Sequence, residues 1–451
     1  MTAGGTLVAE LRLRLARAGA AASPRPQGTV SEVVGLGIGV RGLAAAVGQL
    51  VTVHLRAPGR PDQRLQAQVV ALHPDGLTAM PLGSTAGVSA GDPVEGSADV
   101  LRIPAGPGLL GRVVDALGRP IDGGPMLTQV EAVPLDADSP NPLQRRRVDQ
   151  PLTTGIRALD TLIPLGAGQR VGIMAGSGVG KSTLLGMAVR GTMAPVRVVA
   201  LVGERGREVR EFVEDTLDPE SLQRTVLVVA TADDPPLLRL TAAFTATRIA
   251  EWFRDAGVDV LLVVDSVTRT ALAQREVALA AGEPPATRGY PASVFAMLPR
   301  LLERSGPGPD GSITALYTVL VEGDDLHDPI ADTTRGILDG HVVLSRRLAT
   351  AAHFPSIDVL ESISRVERAV LSPGQLALAA TTRRLLAAWR DARELVEVGA
   401  YAPGSDPDVD AALRLRPALD AFLRQDAGEI ADPGQAWQEL AALLGPLAGP
   451  T

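Results

Sequence analysis

A chain of 451 residues is long enough for two or three domains. The absence of cysteine excludes disulfides and thiolate metal sites, and a net charge of −8 without a long basic run argues against bulk electrostatic capture of nucleic acid. No apolar run approaches the roughly 18 residues of a membrane span, and the N-terminus lacks the basic start and apolar core of a secretory signal, so a soluble cytoplasmic protein is expected. The five histidines, His54, His73, His327, His341 and His353, show no close ligand spacing and read as packing or surface residues.

Along the chain, Leu7 to Arg17 comes first, before the breaker Ser23-Pro24-Arg25-Pro26. Leu7, Leu11 and Leu15 share a helical face while Leu11, Leu13 and Leu15 alternate as in a strand. The segment is too short for a stable lone helix, which leaves a frayed terminal helix or a docking segment for another protein. From about Gly28 to Glu95 short β-rich runs (Val30–Val34, Leu50–Leu55, Leu65–Leu72) are broken by Gly and Pro, the pattern of a small β-barrel. A strand-and-turn unit at 109–123 and a Pro- and Arg-rich connector at 134–151 follow. From about 150 to 370 buried-strand runs alternate with helical patterns, which predicts a mostly parallel α/β sheet. The expected strands are Arg170–Met174, Val196–Val202, Thr225–Ala230, Val258–Asp265 and Ile313–Val321. Beyond about 375 the chain is Leu-, Ala- and Arg-rich and helical. The expected domains are 1–27 (docking segment), 28–96 (barrel), 97–375 (nucleotide-binding core) and 376–451 (helical).

Ala175-Gly176-Ser177-Gly178-Val179-Gly180-Lys181-Ser182-Thr183 follows an apolar strand and opens a helix, the context a phosphate-binding loop requires. Glycines let backbone N–H groups curl around phosphates, Lys181 brings charge to the β- and γ-phosphates, and Ser182 offers a hydroxyl to Mg²⁺. Ala175 stands where the usual pattern begins with glycine. The strand ending at Asp265 places a carboxylate where the Mg²⁺ shell is held, through water. A second strand ends in Gly203-Glu204-Arg205-Gly206-Arg207-Glu208. A carboxylate there can reach the water in line with the γ-phosphate, so Glu204 is the expected base; the competing reading is an acid salt-bridged by the local arginines.

With these pieces in hand, the chain resembles the α/β-subunit family of rotary F- and V-type ATPases and, within it, the ATPases of type III protein export. The resemblance runs from about residue 28 to 425. It is carried by L-G-R-V-V-D-A-L-G-R-P-I-D-G at 110–123, the P-loop, G-E-R at 203–205, the strand ending at Asp265, and P-S-I-D-V-L-E-S-I-S at 355–364. The export branch is indicated by A-G-E-P-P-A-T-R-G-Y-P-A-S-V-F at 281–295, V-E-G-D-D-L-H-D-P-I at 321–330, T-R-G-I-L-D-G-H at 334–341 and G-A-Y-A-P-G-S-D-P at 399–407. The resemblance implies a RecA-like P-loop ATPase core between an N-terminal β-barrel and a C-terminal helical domain. Non-catalytic rotary subunits lack the catalytic Glu that this chain keeps as Glu204. Arg269 aligns with an arginine that approaches the γ-phosphate, Arg365 with the arginine finger donated to the next subunit's ATP, and Phe354 with the aromatic that stacks on adenine. A second adenine-facing aromatic is expected from the C-terminal region, where Arg424–Glu429 offers none.

The resemblance further implies a homohexameric ring that hydrolyses MgATP to energise protein export, most directly flagellar export. It would act at the inner face of the membrane export apparatus with regulator, stalk and gate proteins and with export substrates and chaperones. A rotary ATP synthase catalytic subunit and an injectisome ATPase are the alternatives. A RecA-like nucleic-acid motor would need an aromatic-bearing groove in the barrel, and residues 28–95 contain no Phe, Tyr or Trp.

Overall fold

The computed structural model describes residues 26–56, 63–321 and 328–445; the Leu7–Arg17 segment and most of the 321–330 motif lie outside them. Two compact units emerge, one ending at Leu101 and one beginning at Arg102.

The first unit is a closed six-stranded barrel: β1 (Gln27–Val34), β2 (Gly37–Arg41), β3 (Gln49–Leu55), β4 (Gln63–His73), β5 (Gly76–Pro81) and β6 (Pro93–Val100), in the order β1-β2-β5-β4-β3-β6. Alternation decides the inside. Val51 and Val53 of β3, and Leu65, Ala67 and Val69 of β4, point inward and are buried, with Val30, Ile38, Val40, Leu77, Ala79 and Val94 completing the filling. β2 and β5 escape the sequence pattern because they are short and glycine-bounded. Closure pairs their edges and supplies the burial that their few apolar residues could not signal.

The second unit is built on a nine-stranded, mostly parallel sheet. Its named elements are β7 (Val113–Asp115), α1 (Arg157–Leu162), β8 (Arg170–Ala175), α2 (Lys181–Gly191), β9 (Val196–Glu204), β10 (Thr225–Thr231), α3 (Pro236–Asp255), β11 (Val260–Asp265), α4 (Val267–Ala280), α5 (Ala292–Leu302), β12 (Ser312–Leu320), β13 (Gly340–Leu344) and β14 (Ile357–Ser364). Strand order is β14-β13-β8-β12-β11-β9-β10-β7, with a two-residue strand, Gly306–Pro307, beside β12. β14 alone of the main path is antiparallel to its neighbour, β13.

Helices cover both faces, so the central strands read as continuous apolar runs. Val199 and Leu201 of β9 join one core, with α1 and α2; Val198, Ala200 and Val202 join the other, with α3 and α5. Each such valine or leucine contributes roughly 1.5–3 kcal/mol by leaving water. Three C-terminal helices, α6 (Pro373–Glu397), α7 (Pro407–Leu423) and α8 (Pro433–Leu444), pack on α1 and bury Leu385, Leu419, Phe422 and Leu440 in the first of these cores. Among the described residues no helix is long and apolar enough to cross a membrane.

The expected α/β fold with barrel and helical region is therefore the one found. All five expected sheet strands exist, within two residues at each end. β14 was visible only as a sequence signature, because in this edge strand the polar Ser362 is buried while the apolar Ile363 is exposed, which breaks the alternation.

Candidate active site

β8, β9, β11 and β12 run parallel, so their carboxyl ends gather at one edge of the sheet. There the chain forms a cleft of about 690 Å³ lined by the P-loop, Glu204, Arg205, Glu208, Thr268, Arg269, Leu320 and Arg346. Clefts at the carboxyl ends of parallel strands are where α/β sheets bind ligands.

The loop's curl depends on Gly178 and Gly180, at φ +76° and +90°, a region closed to most side chains. Gly180 caps α2, whose first residue is Lys181. Two contacts brace the loop from the β13–β14 side: Ser356 Oγ donates to Val179 O at 2.6 Å, and Arg346 Nη1 to Ser177 O at 3.3 Å. The Phe354 ring lies beside the loop, since a Cβ on Gly180 would meet its edge at 3.4 Å, and the ring is 44% exposed.

Lys181 Nζ donates to Asp265 Oδ1 and, at 3.3 Å, to Glu204 Oε1. Asp265 is buried and takes a second hydrogen bond from Thr318 Oγ1 at 2.7 Å. Burial pulls the Lys181 ammonium down, but Asp265 and Glu204 together outweigh it and leave its pKa above the ordinary value. Burial likewise pushes the Glu204 carboxyl up; Lys181 opposes this and Asp265 reinforces it. Glu208 is hydrogen-bonded to Glu204 and is held below the usual range by that bond. Of the two carboxyls, Glu204 therefore has the higher proton affinity.

Arg269 sits in the first turn of α4, where Ser266 caps the helix by accepting its N–H at 3.2 Å. Its side chain lies against Gly203, where a Cβ would come within 3.2–3.3 Å of it. Glycine before Glu204 is what allows the arginine to cross the strand end. The Arg269 Nε is buried without a hydrogen-bond partner among the described residues. Such an orphaned donor on a cleft wall fits an anion.

Lys181, Ser182, Glu204, Asp265 and Arg269 are therefore brought together, with Phe354 beside the loop. Arg365 is not. It follows β14, which runs back along the sheet, and Ser364 pairs with Gly340 at the opening of β13. Eight extended residues at ~3.3 Å each put it about 26 Å from the Phe354 end of the strand. Arg365 is exposed, and its guanidinium hydrogen-bonds the Arg335 carbonyl at 3.5 Å.

The competing reading of Glu204 as an acid paired with local arginines is not what the chain does. Arg205 pairs with Glu208 and Arg207 with Glu211, while Glu204 faces Lys181. Sequence reasoning assigned no part to Thr318, Ser356 or Glu208. Ser356 and Glu208 left a signal, lying within the quoted motifs at 355–364 and 203–208, and Thr318 left none. His341 and His353 are buried, His54 and His73 contact Glu95 and Thr78, and His327 lies outside the described residues. Among the described residues no three His, Asp or Glu side chains gather to hold a metal.

The "ATP synthase alpha/beta family, nucleotide-binding domain" matches residues 155–364, and the "T3SS EscN ATPase C-terminal domain" matches residues 371–442. The chain is 47% identical to the flagellum-specific ATP synthase of Bacillus subtilis, over 93% of this chain and 95% of that one. It is 48% identical to the type 3 secretion system ATPase of Xanthomonas euvesicatoria, over 90% and 91%. The assembled ATPase EscN of the enteropathogenic E. coli type III secretion system superposes with a TM-score of 0.88 at 43% identity, covering 93% of this chain and all of that one. With a P-loop cleft of this construction and identity of this extent, the chain belongs to the flagellar and type III secretion ATPases of the ATP synthase alpha/beta family and is an ATPase.

Proposed function

We propose that this chain hydrolyses MgATP as a homohexameric ring to energise type III protein export, in the flagellar system. The reading is supported chiefly by one observation: Lys181, Glu204 and Asp265 converge on the P-loop of one chain, while Arg365 stands at the sheet's opposite end. The intervening strand, about 26 Å at ~3.3 Å per residue, is far longer than an arginine side chain. Arg365 can serve only a nucleotide held by another copy.

In the reading, the P-loop N–H groups and Lys181 bind the phosphates, with Lys181 leaving its two carboxylates for the β- and γ-oxygens. Arg269 meets the γ-phosphate with its unpartnered Nε. A cation suits the pair of carboxylates left when Lys181 turns to the phosphates. Mg²⁺ would be held by the Ser182 hydroxyl and, through water, by Asp265, and would neutralise charge on the phosphate oxygens. Glu204 accepts the proton of the attacking water as the bond from oxygen to Pγ forms and the bond to the bridging oxygen breaks, and Glu208 adjusts its proton affinity. Arg365 of the adjacent copy spreads the charge of the transition state. Phe354 stacks on the base.

The expected limits at 28, 97 and 376 would divide the subunit into docking segment, barrel, ATPase core and helical domain, with 97 falling within β6 and 376 within the first turn of α6. The ring works in the cytoplasm at the inner face of the export apparatus. There it meets a stalk, as EscN does its central stalk EscO, together with regulator and gate proteins, chaperones and cargo. A second reading, an injectisome ATPase, is favoured by the equally high identity to the Xanthomonas relative. Deletion of the gene with re-expression of wild type or Glu204→Gln is the test. Loss of flagellar assembly restored only by the active chain supports the proposal, and normal flagella with failed effector secretion favours the second reading. A purified chain without ATPase activity at any concentration refutes both.

A further inference from the structure

Gln169 precedes β8 at the end remote from the P-loop and is fully buried. Its Nε2 donates to the Asp339 carbonyl at 3.0 Å and to Ser364 Oγ at 3.2 Å, while its Oε1 accepts the Gly166 N–H at 3.0 Å. The Asp339 carbonyl also accepts the backbone N–H of Arg365, at 3.0 Å. One buried amide therefore holds both the residue before Arg365 and the carbonyl on which Arg365 hangs.

The surroundings fix that carbonyl in turn. Arg170 grips the Asp339 carboxylate through its backbone N at 3.1 Å, Nε at 3.0 Å and Nη2 at 3.2 Å. Ser364 Oγ donates onward to Pro164 O at 2.6 Å. Gly340 keeps the strands close, since a Cβ there would sit 2.5 Å from Ile363 O and 3.2 Å from Gln169 Nε2.

We propose that Gln169 is a positioning residue for Arg365, setting where the arginine presents itself to the neighbouring copy's nucleotide. The proposal rests on the reading of Arg365 as a group that acts in trans. Its physical basis is that an exposed arginine works only as well as its Cα is held; a 1 Å misplacement can cost about 10²-fold in rate. The clasp also has a consequence for the ring. Gln169 immediately precedes, and Arg170 opens, the same six-residue strand that ends at Ala175 of the P-loop. A chain's own nucleotide loop and the arginine it offers its neighbour are thus two ends of one rigid strand.

The test uses Gln169→Met, which keeps the side chain's length and removes its hydrogen bonds, and Ser364→Ala, which removes one hydroxyl and serves if the first variant fails to assemble. Each should lower kcat, about tenfold and about threefold respectively, with the KM for ATP within twofold of wild type. Co-assembly then separates a displaced arginine from a damaged P-loop. Mixed with Glu204→Gln, a Gln169→Met chain supplies an intact base and borrows an intact arginine, so activity should return. Mixed with Arg365→Ala, every interface lacks a well-placed arginine and activity should stay low. The opposite pattern, rescue by Arg365→Ala and none by Glu204→Gln, places the defect at the P-loop and overturns the proposal. So does wild-type kcat in both variants. The control pair, Arg365→Ala with Glu204→Gln, isolates the underlying reading. If proven mixed rings of that pair stay inactive, Arg365 does not act in trans and the premise itself fails.

Discussion

Replacing Glu204 and Lys181 in turn should separate chemistry from binding, because the two side chains touch but serve different partners. Glu204→Gln keeps the shape and an oxygen for Lys181 Nζ, now 3.3 Å away, so the P-loop and its cation are undisturbed. What disappears is the proton acceptor. Loss of a positioned general base lowers kcat by about 10²–10⁴-fold, while the dissociation constant for MgATP should stay within about threefold. Lys181→Ala acts on the ground state as well. Asp265 and Glu204 side chains are only 4% and 14% exposed, and removing their shared cation leaves two largely buried carboxylates without the ammonium between them. Stranding a buried charge typically costs 3–5 kcal/mol; protonation of Glu204 and the Thr318 hydrogen bond to Asp265 relieve part, leaving about 3 kcal/mol. For a unit of this size that is a fall in Tm of about 6 °C. Nucleotide titration by calorimetry, a steady-state phosphate-release assay and thermal unfolding read the three quantities. Equal losses of nucleotide affinity in the two variants would refute the separation of roles.

Arg365→Ala should assemble and bind ATP normally yet turn over about 10³-fold more slowly, as checked by sedimentation, calorimetry and phosphate release. Phe354→Ala should raise the KM for ATP about tenfold with little change in kcat, in line with ~1–3 kcal/mol for stacking a base on an aromatic ring. An unchanged KM would mean the ring packs only on Gly180. The acid limb of the pH–rate profile should lie above the ordinary carboxylate range, because the proposed base, Glu204, would have to be ionised and burial raises its pKa; steady-state rates across pH 5–8 check it. Asp160 predicts a stability effect. Burial pushes it from 3.8 up to about 6 despite hydrogen bonds from Thr154 and Gly155. The folded state then holds the extra proton between those values. The stabilisation is complete below about 3.8 and is lost as pH rises through about 6, a change of roughly 3 kcal/mol. Urea unfolding of wild type and Asp160→Asn from pH 4 to 7 should show that difference, and parallel curves would contradict it.

What the amino-acid order determined by itself was local. A buried apolar run followed by glycines, Lys181 and Ser182 reads as a phosphate-binding loop, because glycines at positive φ let backbone N–H groups curl around an anion. Glu204 and Asp265 were legible for a similar reason: a carboxylate ending a strand too apolar to be exposed must emerge at the sheet's edge. The barrel strands β3 and β4 were legible from their alternation, whereas β2 and β5 gained their burial only when the barrel closed. Other features were decided by tertiary structure, because they depend on which segments meet across long stretches of chain. Thr318 reaches Asp265 from 53 residues away and Ser356 reaches Val179 from 177, and neither separation follows a helical or strand period. The position of Arg365 depended on direction. β14 returns antiparallel, so the signature that begins beside the P-loop ends at the far edge of the sheet. A linear motif names its residues without saying which way its strand runs, and that direction is what places Arg365 at the end of the sheet remote from its own P-loop.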